Sequence, residues 1–195
     1  LTPGTHFDAH ILHAERNNFL ASLCGDGKCF GLALVDLTTG DFKVTELHTP
    51  DQLQNELARV RPAEVIVPAE WFEEAKAALN YPLTPHDGWT FERETAFFTL
   101  RDHFKTQSLD GFGARYLSVG VGAAGAALHY LAQTLRRNTA HIHRLTVYSV
   151  SDFMVLDAVT QRNLELLESP HTDRKRTLIG CMDRTLTPMG ARLLR

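Results

Sequence analysis

One stretch of the chain, Cys29 to Leu37, constrains the fold more than any other because both of its faces are apolar. In an extended strand, Leu32 and Leu34 point to one side, whereas Ala33 and Val35 point to the other. A strand that is apolar on both sides has to be covered on both sides, as in the centre of a layered α/β sheet. The sequence therefore predicts a central strand with a hydrophobic core on each face.

Two further strands are predicted next to this one in the sequence. Residues 17–24 form an apolar run that ends at a glycine turn over residues 25–27, and residues 42–47 alternate between apolar and polar positions. A tight turn over residues 38–41 joins the second and third strands. Because both connections are short, we expect the three strands to pair as an antiparallel meander.

After residue 48 the hydrophobic period changes to that of helices and short buried strands. Thr49 and Pro50 are typical of a helix start, with Gln52 placed to complete a reciprocal cap. Val65 to Val67 is a short apolar strand, as expected beneath helices on both faces. The other predicted elements are helices over residues 70–79, 92–104 and 118–137, and an edge strand over residues 81–84. Three antiparallel strands followed by α-β-α-β-α predict an α/β fold with a ribonuclease-H-like mixed sheet.

Three glycines, Gly120, Gly122 and Gly125, lie near the start of the most apolar predicted helix. A Gly-x-Gly run at a helix start is also found in loops that bind phosphate. Such loops follow a buried strand and continue into a Lys-Ser or Lys-Thr pair, and this sequence has neither here. Small residues also let a helix approach its neighbours, so close packing of the helix against the sheet is the favoured interpretation.

The end of the chain contains two predicted helix starts. Asp157 is placed to cap a helix over residues 158–168, which Ser169-Pro170 ends because proline disfavours helical geometry in the residue before it. Thr187 followed by Pro188 marks the second start. The apolar side of this second helix is expected to consist of Met189, Leu193 and Leu194. An apolar side without a later partner indicates a piece of a longer chain.

These C-terminal residues also carry a family resemblance. The runs Asp157-Ala-Val-Thr-Gln-Arg-Asn-Leu-Glu-Leu and Asp183-Arg-Thr-Leu-Thr-Pro-Met-Gly-Ala-Arg-Leu-Leu resemble the entry to the lever domain of MutS, the DNA mismatch-recognition ATPase. The opening run Leu1-Thr-Pro-Gly-Thr resembles the segment that follows the mismatch-binding domain in that family. Three later runs fall in the order of its connector domain: Gly31-Leu-Ala-Leu-Val-Asp-Leu-Thr-Thr-Gly, Arg61-Pro-Ala-Glu and Leu109-Asp-Gly-Phe-Gly. The resemblance implies a ribonuclease-H-like connector domain over residues 1–150 and the first helices of an all-α lever domain over residues 151–195.

The resemblance implies a non-catalytic fragment that relays conformational change between mismatch-binding and ATPase domains. It also implies a docking surface for a MutL-like protein near the segment Thr95 to Leu100. Phe98 and Thr99 are the candidate residues, and Phe98 is equally compatible with the core or with an exposed contact. No cofactor is expected in this fragment. By resemblance, ATP, magnesium, mismatched DNA, the other domains of the parent chain and a homodimeric state belong to the full-length parent.

The charge distribution permits contact with DNA without requiring it. The formal net charge is −3, but positive residues predominate after residue 136. Arg174, Lys175 and Arg176 are the candidates for contacts to the DNA backbone, and a solvated loop is the alternative. No stretch is apolar for long enough to span a membrane, and the N-terminus lacks a signal-peptide pattern. A cytoplasmic protein without membrane partners is therefore expected.

Two other functions remain open on the sequence. A ribonuclease-H-like sheet can carry a two-metal nuclease, which needs several carboxylates around ions that lie about 4 Å apart. Asp36, Asp41 and Glu70 are the available carboxylates, and Asp41 and Glu70 also have structural explanations as turn and helix-start residues. The second alternative is a generic α/β protein-interaction domain. No metal site is predicted from the cysteine and histidine spacings, which differ from those of zinc sites.

Overall fold

A computed structural model describes residues 18–136, 138–152, 154, 156–167 and 177–194 of the chain. These residues fall into two compact units, the first covering residues 18–152 and the second covering the described residues from 154 onwards. Across the described ranges, no helix combines the length and the apolar character that crossing a bilayer requires.

The first unit is built around one mixed sheet. Its strands are β1 (Phe19–Gly25), β2 (Phe30–Asp36), β3 (Asp41–Leu47), β4 (Glu64–Pro68), β5 (Leu83–His86) and β6 (Thr146–Val147). Their spatial order is β5-β4-β1-β2-β3-β6. The strands β1, β2 and β3 pair antiparallel, which confirms the predicted meander. The other three pairings, β1–β4, β4–β5 and β3–β6, are parallel.

Helices cover both faces of this sheet. They are α1 (Pro50–Val60), α2 (Phe72–Ala78), α3 (Arg93–Phe104) and α4 (Val119–His129). Leu32 and Leu34 of β2 share one core with α1 and α2, and Ala33 and Val35 share the opposite core with α3 and α4. The predicted central strand with two apolar faces is therefore confirmed, and the fold of this unit is mixed α/β.

The local sequence specifies the start of α1 as predicted. The Thr49 hydroxyl accepts a hydrogen bond from the Gln52 backbone N–H (3.2 Å), which satisfies one free donor of the first turn. The Gln52 side chain reaches back to accept the His48 backbone N–H (2.8 Å), one residue before the cap. The helix ends at Val60, and the capping residue Arg61 has left-handed geometry (φ 50°) just before Pro62.

The sixth strand was not predicted as part of the sheet. The sequence predicts only that residues 144–150 are extended, but Thr146–Val147 pairs in parallel with β3. The backbone N–H of Tyr148 donates to the Val44 carbonyl (3.1 Å), and the Tyr148 hydroxyl donates to Glu56 Oε1 of α1 (2.7 Å). Thr45 of β3 is buried instead of half-exposed as the alternation predicts.

The strand β5 is displaced from its predicted position. It spans Leu83–His86 instead of residues 81–84, so it includes Pro85. Pro85 pairs with Val67 on β4. Of the described strands, β5 ends the sheet on this side, and an edge position tolerates proline because one side of the strand needs no donor.

The helix α4 is buried on every side. Every residue from Val119 to Leu128 is buried, because the helix lies between the sheet and α3. The α-helix also ends before the predicted end at residue 137. It continues as a π-helical turn, Tyr130–Thr134, in which the Leu135 backbone N–H donates to the Tyr130 carbonyl (2.9 Å).

The second unit contains short helices, of which three are described: α5 (Ala158–Asn163), α6 (Leu178–Met182) and α7 (Pro188–Leu194). Both predicted caps are confirmed. Asp157 Oδ1 accepts the Thr160 backbone N–H (2.7 Å), and the Thr187 hydroxyl accepts the Gly190 backbone N–H (3.2 Å). The helix α6, capped by the Thr177 hydroxyl, was not predicted.

One detail of the second unit differs from the prediction. The helix α5 ends at Asn163, and Glu165 has left-handed geometry (φ 48°), so the helix cannot continue to residue 168. The predicted stop at Ser169-Pro170 lies outside the described residues. Met189, on the predicted apolar side of α7, is 74% exposed, and Ala191 of the same helix is buried.

Candidate functional site

The predicted docking segment lies on α3, where its two phenylalanines have different environments. The helix packs on α4 through Ala96 and Leu100, which are fully buried. Phe97 is half-buried against the same core. Phe98 lies on the outer side of the helix with 62% of its surface exposed. The sequence was compatible with Phe98 either in the core or as an exposed contact, and in the structure Phe98 is exposed.

Arg101 lies beside both phenylalanine rings. The carbon of its guanidinium group is 5.5 Å from the Phe97 ring centroid and 6.0 Å from that of Phe98. The two rings meet edge to face, with centroids 6.3 Å apart. The Thr99 hydroxyl donates to the Thr95 carbonyl within the helix (2.9 Å), so its proton is already used. The outer face of α3 is thus an aromatic surface with one adjacent cation.

The run predicted to contact the DNA backbone lies outside the part of the chain that the structure describes. It consists of Arg174, Lys175 and Arg176. Contact between these residues and DNA therefore stays a prediction.

The carboxylates considered for a two-metal nuclease do not converge. Asp36 and Asp41 pair across the β2–β3 turn, and Asp36 also pairs with Phe19 at the beginning of β1. Glu70 follows β4, which runs parallel to β1, so it lies beyond the opposite edge of the sheet. A strand of seven residues such as β1 spans roughly 20 Å, whereas two catalytic ions lie about 4 Å apart. These three residues therefore cannot share a metal site.

Asp36 has a structural role at the end of β2. Its carboxylate accepts hydrogen bonds from the Thr38 backbone N–H (2.8 Å), the Thr38 hydroxyl (2.6 Å) and the Asn18 backbone N–H (3.3 Å). Asp41 forms an ion pair with Lys43 (2.7 Å). Each carboxylate thus stabilises the hairpin in which it lies.

The first turn of α4 is occupied by a carboxylate of the chain itself. Glu46 Oε1 accepts the backbone N–H groups of Val119 and Gly120, both at 2.8 Å. A negative charge is favourable there because the helix N-terminus carries a partial positive charge. A bound phosphate would need the same donors. The phosphate-binding interpretation of the glycine run is therefore wrong.

The three glycines serve close packing, against the sheet and against the elements that precede and form α3. A Cβ atom at Gly120 would lie 3.2 Å from Val44 Cγ2 of β3. At Gly122 it would overlap the carbonyl oxygen of Phe91, and at Gly125 it would overlap Ala96 of α3. The packing interpretation is therefore confirmed, with α3 and its preceding turn as the main neighbours.

A cluster that the sequence did not reveal lies at the end of α4. His86 Nε2 and His129 Nδ1 are 3.1 Å apart, and the Trp89 ring meets His129 edge to face at 5.0 Å between centroids. Burial lowers the pKa of His86 and also that of His129, so both rings are neutral near pH 7. The two histidines lie on β5 and α4, and no local spacing connects them.

Next to this cluster a buried carboxylate joins three elements. Glu64 of β4 is fully buried and accepts hydrogen bonds from the Thr84 hydroxyl (2.7 Å) and the Tyr130 hydroxyl (2.9 Å). Buried carboxylates are stable only when they are hydrogen-bonded. These bonds tie β4 and β5 to the π-helical turn after α4.

Two of the cysteines, Cys24 and Cys29, have the environments of structural thiols. The Cys24 thiol donates to the Val119 carbonyl (3.3 Å), and burial raises its pKa to about 12. Burial also raises the pKa of Cys29. Thiols in this state are poor nucleophiles and poor metal ligands. Within the described ranges, no group of three or more histidine, cysteine, aspartate or glutamate side chains is arranged to hold a metal ion.

Comparison with known proteins shows a family that this chain matches. The family model described as MutS domain II matches residues 18–143. The chain is 43% identical to the DNA mismatch repair protein MutS of Protochlamydia amoebophila, over all of this chain and 24% of that protein. It is 40% identical to the MutS protein of Solibacter usitatus, over all of this chain and 23% of that protein. The chain thus spans about a quarter of the length of the curated relatives it matches.

Proposed function

Because this chain belongs to the MutS family of DNA mismatch repair proteins and contains its domain II, we propose that it works as a non-catalytic connector. In this proposal residues 1–150 form a connector domain with ribonuclease-H-like topology, and residues 151–195 begin the lever domain. The connector relays conformational change between the mismatch-binding and ATPase domains of the parent protein. Domain II is not the ATPase domain, and no enzymatic function is indicated for this region.

The observation that carries the proposal is the continuous packing from the surface of α3 to the sheet. Ala96 of α3 lies directly against Gly125 of α4, and α4 is buried against the central strands. Closely packed interiors are barely compressible and pass on displacement with little loss. A force on α3 would therefore move the sheet as a body, which suits a relay that shifts between two arrangements of its neighbours.

The outer face of α3 is our proposed docking surface for a MutL-like protein. Exposed phenylalanine and arginine side chains are enriched at protein interfaces, and Phe98 and Arg101 provide both. Arg101 also orders the Phe98 ring before binding, which lowers the entropic cost of association. The Thr99 hydroxyl is already bonded within the helix, so Phe98 is the main contact in this proposal.

The remaining partners belong to the parent protein. We propose that mismatched DNA, ATP with magnesium, and homodimer formation involve the full-length chain, of which this chain is about a quarter by comparison with its relatives. Arg174, Lys175 and Arg176 are proposed to add weak contacts to the DNA backbone, which would weaken as salt increases. Since the relatives are DNA repair proteins, we propose a cytoplasmic location.

A binding assay with a matched aromatic control tests the docking proposal. Immobilised chain is incubated with a MutL-like protein from the same source, and the bound fraction is measured for the wild type, Phe98→Ala and Tyr116→Ala. Tyr116 is 85% exposed and also lies beside an arginine, Arg115 (5.8 Å), but is not on α3. We expect Phe98→Ala alone to weaken binding, by about fivefold or more for an interface residue that contributes at least 1 kcal/mol. Equal binding by all three folded proteins would contradict the docking surface.

A further inference from the structure

Three parallel strands end at the same edge of the sheet, and a groove lies just outside it. The strands β1, β4 and β5 run in the same direction and end at Gly25, Pro68 and His86. In open α/β sheets, ligands bind outside the carboxyl ends of parallel strands. The groove has a volume of about 540 Å³, and the side chains that matter for its chemistry are Asp26, Glu70, Trp71, Trp89, Glu92 and Arg93. We refer to it as the tryptophan groove.

Both tryptophans of the chain line this groove. The Trp71 ring lies over Gly25, so closely that a Cβ atom there would be 2.6 Å from Trp71 Cη2. The Trp89 ring is supported from one side by His129, yet 51% of its surface is exposed. Tryptophans that combine a fixed position with open surface are typical of binding sites, where tryptophan is among the residue types that contribute most of the binding energy.

The charge of the tryptophan groove is negative. Asp26, Glu70 and Glu92 contribute three carboxylates against the single guanidinium group of Arg93, so the formal charge of these side chains is −2. A hydrogen bond from the Cys29 backbone N–H (3.0 Å) lowers the pKa of Asp26, which keeps this carboxylate ionised. Such a surface repels the phosphates of a nucleic acid or nucleotide and attracts a cation.

We propose that the tryptophan groove binds an arginine side chain from a basic peptide segment of a partner protein. The carboxylates select a cation, and the indole faces of Trp71 and Trp89 attract it through their negative quadrupole. A guanidinium group matches both features because it is planar, stacks on aromatic rings and pairs with carboxylates through two hydrogen bonds. The ammonium group of lysine is more strongly hydrated and cannot stack in this way. Of the groove side chains named above, only Arg93 belongs to α3, where it is the first residue, and the proposal does not depend on the α3 docking surface.

Tryptophan fluorescence tests this binding, because both tryptophans line the groove. The full 195-residue chain is titrated with the peptide acetyl-Gly-Arg-Gly-Arg-Gly-amide and with the same peptide containing citrulline, which keeps the shape of arginine but is neutral. We expect a saturable change in emission with the arginine peptide and about tenfold weaker binding of the citrulline peptide. Glu70→Gln should weaken binding of the arginine peptide about threefold or more, because the variant keeps both tryptophans and removes one carboxylate.

Glu73→Gln is the matched control. Glu73 is an exposed carboxylate of α2 that does not line the groove, so this variant changes the net charge equally and should bind the peptide like the wild type. Circular dichroism of each variant establishes that it is folded. Three outcomes would overturn the proposal: no response to either peptide, equal affinity for the arginine and citrulline peptides, or a larger response to a single-stranded oligonucleotide than to the arginine peptide.

Discussion

Gly125 of α4 lies against Ala96 of α3 so closely that a methyl group at position 125 would overlap the Ala96 Cα atom. This contact sets the distance between the two helices. It explains why a glycine occurs in the middle of a fully buried helix, where it costs about 1 kcal/mol relative to alanine. The same contact connects the proposed docking helix to the core.

The first prediction concerns this helix contact. Gly125→Ala should lower the free energy of unfolding by about 1–2 kcal/mol, because overpacking against a backbone atom outweighs the gain in helix propensity. Urea denaturation followed by circular dichroism measures the change. Gly111→Ala is the control, since a Cβ atom there has no neighbour within 4 Å. A loss of the same size in both variants would contradict the packing explanation.

The second prediction concerns the attachment of β6 and its neighbour Tyr148. The Tyr148 hydroxyl donates to Glu56, a carboxylate that is only 4% exposed. Tyr148→Phe should lower the free energy of unfolding by about 1–2 kcal/mol, because a buried charged acceptor loses one of its donors. Thermal or urea denaturation measures this loss. Tyr116→Phe, at an exposed tyrosine, should be neutral, and a neutral Tyr148→Phe would show that the bond contributes nothing to stability.

The third prediction concerns the pH dependence of stability. Burial lowers the pKa of His86 and of His129 below the ordinary value of 6.5, with Asp87 opposing the shift. The unfolded chain therefore binds more protons than the folded chain near and below pH 6.5. The stabilisation from the neutral pair is fully present above pH 6.5 and is lost as the pH falls through the lowered pKa values.

Urea denaturation at a series of pH values between 7.5 and 5 measures this effect, with the upper limit about one unit above the unfolded pKa. His129→Gln should make the free energy of unfolding less dependent on pH in this range. His48→Gln, at an exposed histidine outside the cluster, controls for the loss of one histidine. If His129→Gln and the wild type have the same pH dependence, the histidine pair does not titrate as we expect.

Features that depend on neighbouring residues could be predicted from the sequence. The two apolar faces of β2 follow from the alternation of side chains along a strand, and the structure has them in separate cores. The caps of α1, α5 and α7 were predicted correctly because a cap needs only a polar side chain and a free N–H two or three residues later. Family membership could also be predicted, since its motifs are short runs of adjacent residues.

The features that were missed arise from contacts between distant parts of the chain. The strand β6 pairs with residues about a hundred positions earlier, and its two residues carry no periodic pattern of their own. The exposure of Phe98 depends on which side of α3 packs on α4. Because Phe97 and Phe98 are adjacent and equally apolar, the sequence did not decide which of them is exposed.

The pairing of His86 with His129 and the meeting of Trp71 with Trp89 in one groove likewise follow from strand order and helix packing. Local periodicity and capping depend on a few consecutive residues, so the local sequence specifies them independently of the rest of the fold. The proximity of distant side chains depends instead on how the whole core closes, because many weak packing contacts together select one arrangement.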